Sequence, residues 1–332
     1  MQREQSLFEH LALDFVRVTE LAAIAAARWI GKGDAHAADG AAVDAMRAAM
    51  SRIQCAGKIV IGEGAKDEAP ELFVGEKVGN GKGVALDIAV DPLECTSSVA
   101  FGRTNALTVI AAAPKGMLYH AADSYMQKLA VPPAAKNKVD LDAPAKDTIR
   151  AVAHALGKDV PEITVAILDR DRHKQLIKDV RAADARVQLF TDGDVAMAIA
   201  TCLAESPVDI LMGTGGSAEA VLSASAMKTL GGGFFCRWRP KDEKHIARLR
   251  AAGVTKFDTL FSAETLAKGD EVTFTATGVL AGPLAEGVVF AADHVTTHSV
   301  VMSSREKLVR RIETRHAYPA YRTGRRQAGH MA

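Results

Sequence analysis

The chain has 332 residues, 48% of them hydrophobic, and its 41 Lys and Arg against 40 Asp and Glu give a formal net charge of +1. That balance excludes a disordered chain and a general polyanion binder, and the length suffices for two hydrophobic cores. No apolar run is long enough to cross a bilayer, since even LAAIAAA at 21–27 is cut by Arg28.

Residues 1–9 mix charges of both signs around no apolar signal core, so a cytoplasmic protein is expected. Leu11, Phe15, Val18, Leu21, Ala22 and Ala25 recur at helical spacing and predict a helix over 7–30, with a second from about Gly40 to Ile53. Short β-branched runs at 58–61, 84–90, 107–111 and 128–131, each bounded by Gly, Pro or Asn, predict strands of one sheet. The polar, Pro-containing stretch 131–147 reads as a linker. Beyond it, helices at 148–156, 173–182, 195–203 and 218–230 alternate with strands at 163–168, 187–190 and 208–212, the rhythm of a doubly wound half. A charged helix at 241–252 and the strand-like runs EVTFTATGV, GVVFAA and VTTHSVVMSS follow, expected to return to one of the sheets. The expected organisation is a half at 1–140 that binds metal and phosphate, a half at 141–318 that binds sugar, and a basic, disordered tail at 319–332. Four cysteines at 55, 95, 202 and 236 have no CxxC spacing and read as thiols in a reducing compartment.

The most telling segment is VALDIAVDPLECT at 84–96, an apolar strand that ends on Asp91, Glu94 and Thr96. Two carboxylates three positions apart at a strand end, with a hydroxyl beside them, suit divalent cations next to an anion, although Asp-Pro also opens ordinary turns. Glu63 likewise ends an apolar run between Gly62 and Gly64, where a tight turn and close backbone approach are permitted. Asp39 sits where the second helix is expected to begin, so helix capping and a metal role both fit.

Gly215, Gly216 and Ser217 lead from an apolar strand to Glu219, which reads as a glycine loop for a phosphate or as a plain connection capped by Ser217. Asp192, Gly193 and Asp194 end another strand and fit a helix cap or a site for sugar hydroxyls. Arg170, Arg172 and His173 follow a third, where basic side chains clamp a phosphate or simply open a solvated helix. Five strands thus end in acidic, basic or glycine-rich residues on their carboxyl side, where open α/β sheets bind ligands. Acids for metal and bases for phosphate in one chain imply a phosphoester substrate.

With these segments in order, the chain resembles the class II fructose-1,6-bisphosphatases (GlpX-like), the bacterial branch of the lithium-sensitive sugar and inositol phosphatases. The resemblance runs over roughly 12–316, through RVTELAA at 17–23, GKGD and AADGAAVDAMR at 31–47, and IVIGEGAKDEAPELFVGEKVG at 59–79. It continues in DIAVDPLE at 87–94, NALTV at 105–109, DSYMQKL at 123–129, DGDVA at 192–196, GGSAEAVLSA at 215–224 and TATGV at 275–279. It implies a layered αβαβα sandwich, Mg²⁺ or Mn²⁺ as cofactor, and hydrolysis of the 1-phosphate of fructose 1,6-bisphosphate. The implied metal set is Asp39, Glu63, Asp91, the Leu93 carbonyl, Glu94 and Glu219. Asp39, Glu63 and Thr96 take the implied catalytic roles, with Thr96 aligning the attacking water. Substrate contacts fall to Glu94, Cys95, Thr96, Tyr125, Arg170, Arg172, Asp192, Asp194 and Gly216. The partner is a small sugar bisphosphate, with neither nucleic acid nor membrane, in a homo-oligomer (dimer or tetramer).

Cys95 departs from the family pattern, which has glycine there. A side chain at that point is expected to be penalised, and a thiol beside metals and a helix start is expected to have a lowered pKa and to be oxidant-sensitive. The loop at 231–245 is shorter than expected of relatives. A sedoheptulose-1,7-bisphosphatase or dual-specificity enzyme, an inositol monophosphatase, and a sugar-phosphate sensor weakened by Cys95 are the alternative readings.

Overall fold

A computed structural model describes residues 2–63 and 72–318, with side chains from Leu11 onward. Gly64 and the tail from 319 lie outside the described residues. The chain opens with helices α1 (Gln2–Ala27) and α2 (Ala35–Met50), then strands β1 (Cys55–Ile61), β2 (Lys77–Val78) and β3 (Val84–Glu94), helix α3 (Thr96–Ala100) and strand β4 (Ala106–Pro114). Next come β5 (Tyr125–Val131), α4 (Ala145–Leu156), β6 (Thr164–Leu168), α5 (Lys174–Ala182), β7 (Arg186–Phe190), α6 (Asp194–Ala200), β8 (Ile210–Gly216) and α7 (Ser217–Leu230). The rest is β9 (Gly233–Trp238), α8 (Glu243–Ala251), β10 (Phe261–Ser262), α9 (Ala263–Leu266), β11 (Thr273–Leu280), β12 (Val289–Phe290), β13 (His294–Ser303) and β14 (Leu308–Ala317).

Among the described residues the strands form two sheets. The larger runs β12-β13-β11-β4-β3-β1-β2 with β14 paired to β13, and the smaller runs β10-β9-β5-β8-β6-β7. Helices α1 and α2 cover one face of the larger sheet, where Leu11, Phe15, Val18, Ala22 and Ala26 make the i, i+4, i+3 stripe that buries against Ile88, Ile110 and Val279. Leu21, expected in that stripe, is rotated out of it and exposed. Thr19 sits within the buried face and satisfies its polar atoms across the layer: its Oγ1 donates to the Val16 carbonyl and accepts from Thr277 Oγ1, while its carbonyl accepts from Thr108 Oγ1 at 2.8 Å. Helices α6 and α7 fill the space between the sheets, with Val195, Ile199, Val221 and Leu222 packed against residues of both. Helices α4 and α5 close the outer face of the smaller sheet through Ile149, Val152, Ile177 and Val180. The order of layers is αβαβα, as expected.

Two expectations need correction, and one strand was not expected at all. β5 does not join the first sheet: it pairs antiparallel with β8 and β9 in the second. Chain order therefore does not follow sheet order, because β5 enters the second sheet before residue 140 and β11–β14 return to the first. The second sheet is mixed, with only β7, β6 and β8 parallel, because insertion of β5 and β9 makes its other pairings antiparallel. Finally, β14, the unexpected strand, is itself a run dense in charge, LVRRIETRHA, that carries no apolar alternation. Only its pairing with β13 along its whole length makes it a strand. No helix among the described residues is long and apolar enough to cross a membrane.

Candidate active site

The carboxyl ends of β3, β6, β7 and β8 and the residue after β1 meet at one cleft of about 300 Å³ between the sheets. Its lining includes Glu63, Asp91, Leu93, Glu94, Cys95, Thr96, Tyr125, Arg170, Arg172, Asp192, Asp194, Gly216 and Glu219, together with Ser97, Leu168, Gly193 and Gly215. Of the site residues singled out from the sequence, Asp39 and His173 lie off this lining; Asp39 neighbours Glu63 and shares a carboxyl–carboxyl hydrogen bond with it.

The acidic wall depends on an irregularity in β3. Asp91 pairs with Val109 and Glu94 with Leu107, so three steps along β3 match two along β4. A regular strand would point residues three apart to opposite faces, and the extra residue resets the alternation so that both carboxylates reach the cleft. Pro92 is tolerated at this bulge, and Asp91 Oδ1 accepts from the Leu93 N–H at 3.1 Å. Gly62 sets the path of the turn before Glu63, because a Cβ there would collide with the Leu72 carbonyl.

Asp39 is not the cap of its helix. α2 starts at Ala35, Asp34 caps it by accepting from the Ala37 N–H at 2.9 Å, and Asp39 lies within the helix. Of the two readings of the segment before Glu219, the phosphate loop does not form, since β8 continues through Gly216 and α7 starts at Ser217. Ser217 caps nothing; its hydroxyl donates to the Ala122 carbonyl and accepts from the Ser124 N–H. The two glycines serve close approach instead: an added Cβ would strike Asp194 Oδ2 at Gly215 and Glu219 Oε2 at Gly216.

Charge is left uncompensated on this wall. Burial first, then the neighbouring Asp91 and Asp39, push Glu63 up to about 9. Asp91 is raised by burial and by Glu94, Glu219 and Asp39; Glu94 by burial and by Asp194; and Glu219 chiefly by burial. The buried Glu94 Oε2 and Glu219 Oε2 accept no hydrogen bond. Among the described residues no group of three or more acids, histidines or cysteines is already gathered at a single coordination point. The donor set nevertheless fits a hard cation: it is all oxygen, buried and short of partners.

The opposite wall is paired. Arg170 Nη2 bonds Asp192 Oδ1 at 2.7 Å, and Arg172 donates from Nε and Nη2 to the Thr214 carbonyl while its guanidinium lies 5.3 Å from the Tyr125 ring. His173 is no part of a basic clamp. Its Nε2 accepts from the Thr214 N–H at 2.8 Å, so Nδ1 carries the proton and donates to the Leu168 carbonyl, and burial lowers its pKa. Asp194 spends Oδ2 on Lys128 Nζ at 2.6 Å rather than on its helix terminus.

Cys95 has φ +72° and ψ 48°, the left-handed conformation that glycine adopts without penalty. The lowered thiol pKa expected from the sequence is reversed: burial and then Glu94, Asp91, Asp192 and Asp194 drive it far up. Sequence inspection missed Lys128 and Asn105, which stand directly behind the lining. A lysine inside the apolar run YMQKLAV is the one signal that marks a buried charge with an unseen partner.

The model of bacterial, glpX-encoded fructose-1,6-bisphosphatase matches residues 9–316. The chain is 43% identical over 319 residues to fructose-1,6-bisphosphatase 1 class 2 of Escherichia coli K12, an alignment covering 92% of this chain and 95% of that protein. Fructose-1,6-bisphosphatase class 2 of Escherichia coli O6:H1 and that of Shigella flexneri match with the same identity and coverage. A family match across nearly the whole chain, together with this identity and coverage, leaves one assignment: the chain belongs to the glpX-encoded, class II bacterial fructose-1,6-bisphosphatases.

Proposed function

We infer that this protein hydrolyses the 1-phosphate of fructose 1,6-bisphosphate, giving fructose 6-phosphate and phosphate. The observation that carries this is a single cleft with buried, partner-poor carboxylates on one wall and Arg170 and Arg172 on the other. A bisphosphorylated sugar spans such a cleft, with its reacting phosphate against the acids and its distal phosphate against the arginines.

Glu63, Asp91, the Leu93 carbonyl, Glu94 and Glu219 are the residues we assign to Mg²⁺ or Mn²⁺, with Asp39 behind Glu63. When bound, the cations supply charge neutralisation at the phosphoryl oxygens and acidify a water for attack. The chain's own residues do the rest. Asp39 and Thr96 orient the nucleophile, the hydrogen bond between Asp39 and Glu63 fixing which oxygens face the cleft. Asp192 and Asp194 flank the sugar, and Arg170 moves from its Asp192 pair to the distal phosphate. Cys95 keeps the backbone in the conformation natural to the family's glycine, which favours an active enzyme over a sensor. The four cysteines are all free thiols, consistent with a cytoplasmic location, and a homo-oligomer is proposed from the resemblance.

Phosphate release from fructose 1,6-bisphosphate, with Mg²⁺ and with Mn²⁺, tests the assignment. Sedoheptulose 1,7-bisphosphate and an inositol monophosphate run alongside fix the substrate. Turnover of the fructose ester at no more than the rate of the inositol ester would overturn the preferred substrate.

A further inference from the structure

The turn Asp192–Val195 carries two of the cleft's acids, and it is gripped from behind by residues that the cleft does not show. Asn105, the residue before β4 on the first sheet, donates from Nδ2 to the Asp192 carbonyl at 3.0 Å and to the Gly193 carbonyl at 3.3 Å. Lys128, on β5 of the second sheet and 3% exposed, holds Asp194 Oδ2 at 2.6 Å, and Asp194 is itself 6% exposed. From the turn, the Val195 N–H donates to Glu94 Oε1 at 3.1 Å, returning the chain of contacts to the acidic wall.

Two features show that these grips are built rather than incidental. Asn105 holds φ +63°, a left-handed conformation that asparagine adopts more readily than most side chains, and from it directs its amide at the turn. Two glycines also clear the space. A Cβ on Gly193 would collide with Asn105 Nδ2, and one on Gly215 would collide with Asp194 Oδ2 and crowd Lys128 Nζ at 3.1 Å.

We propose that Asn105 and Lys128 are positioning residues. From the two sheets they fix the Asp192–Val195 turn so that its sugar-facing acids and its hold on Glu94 move as one body. The proposal rests on the assignment of the cleft to a sugar bisphosphate and adds that the sugar end and the metal end are mechanically linked through this turn. Asn105 lies outside the cleft lining, as does Lys128.

The test is Asn105→Gly, which removes the amide and tolerates the positive φ, alongside Lys128→Met, both in the full chain. KM and kcat for fructose 1,6-bisphosphate are measured, and Mn²⁺ affinity is read without substrate from the electron paramagnetic resonance of the free ion. Asn105→Gly is expected to raise KM and to weaken Mn²⁺ binding, each by about tenfold, the scale seen when a partner behind a metal ligand is lost. Because two grips on one turn act as a unit, the double variant is expected to lose less than the product of the single losses. Should Lys128→Met fail to fold, Asn105→Gly decides alone. Wild-type KM and wild-type Mn²⁺ affinity in a folded Asn105→Gly would overturn the proposal. Failure of the underlying assignment is distinct, since it would show as a wild-type protein that releases no phosphate from the bisphosphate.

Discussion

The two walls of the cleft solve opposite electrostatic problems. On the wall built by β1, β3 and α7, Glu63, Asp91, Glu94 and Glu219 are raised by burial and mutual repulsion, and two carboxylate oxygens accept no hydrogen bond. On the wall built by β6, β7 and α6, Arg170 pairs with Asp192 at 2.7 Å, and Asp194 is paired at 2.6 Å with Lys128 of β5 from behind the wall. The first wall leaves carboxylate oxygens without partners. The second has its charges paired, so on the function proposed above a substrate phosphate competes with Asp192 for Arg170. Buried like charges are stored destabilisation that a ligand relieves, whereas matched pairs set geometry and selectivity.

The largest expected effect tests the incomplete wall. Asp91→Asn should lower kcat by roughly a thousandfold, equivalent to ~4 kcal/mol at the transition state, while removal of a repelled buried charge keeps or raises the melting temperature. Near-normal phosphate release by a folded Asp91→Asn would remove Asp91 from the metal set. On the paired wall, Arg170→Ala should act mainly on affinity, with KM raised on the order of tenfold and kcat little changed. If its kcat collapses while KM holds, Arg170 belongs with the reacting phosphate instead.

A thermal titration compares the walls through pH. Glu63 keeps its proton in the fold up to about 9, whereas the unfolded chain releases it near 4.5. Between those values the unfolded state binds fewer protons, so the stability of the metal-free protein falls as pH rises across the window. Calorimetry should show the melting temperature dropping by roughly 5 °C between pH 5.5 and pH 8.5, with Mg²⁺ or Mn²⁺ restoring it most at the upper end. A melting temperature independent of both pH and metal would mean that the carboxylates are not short of a cation. The smallest effect is Cys95→Gly. Relief of the left-handed conformation at φ +72° stabilises by about 1 kcal/mol, partly offset by added freedom in the unfolded chain, and activity is kept or raised. A loss of turnover on that change would give the thiol a positive part in catalysis.

Most of the elements and most of the cleft were legible in the sequence, because both leave local signals. The α1 stripe has helical period, β3 is an unbroken apolar run, and the strand ends carry their acids and arginines in short order. β14 was not legible. None of its residues is fully buried and its charges are spread along it, so only the register with β13 defines it. The glycines at 215 and 216 were visible but ambiguous, because a phosphate loop and a close packing of carboxylates ask for the same residue.

The amino-acid sequence by itself determined the family, the identity of the acids and bases, and the strained residue at Cys95, since these depend on residue type and order along the chain. Tertiary structure alone decided that β5 crosses to the second sheet, that the β3 bulge turns Asp91 and Glu94 to one side, and that Lys128 meets Asp194, 66 positions further along the chain. The reason is physical: burial, pKa and pairing belong to distances between groups, and no local pattern encodes a distance that the packing of two sheets sets.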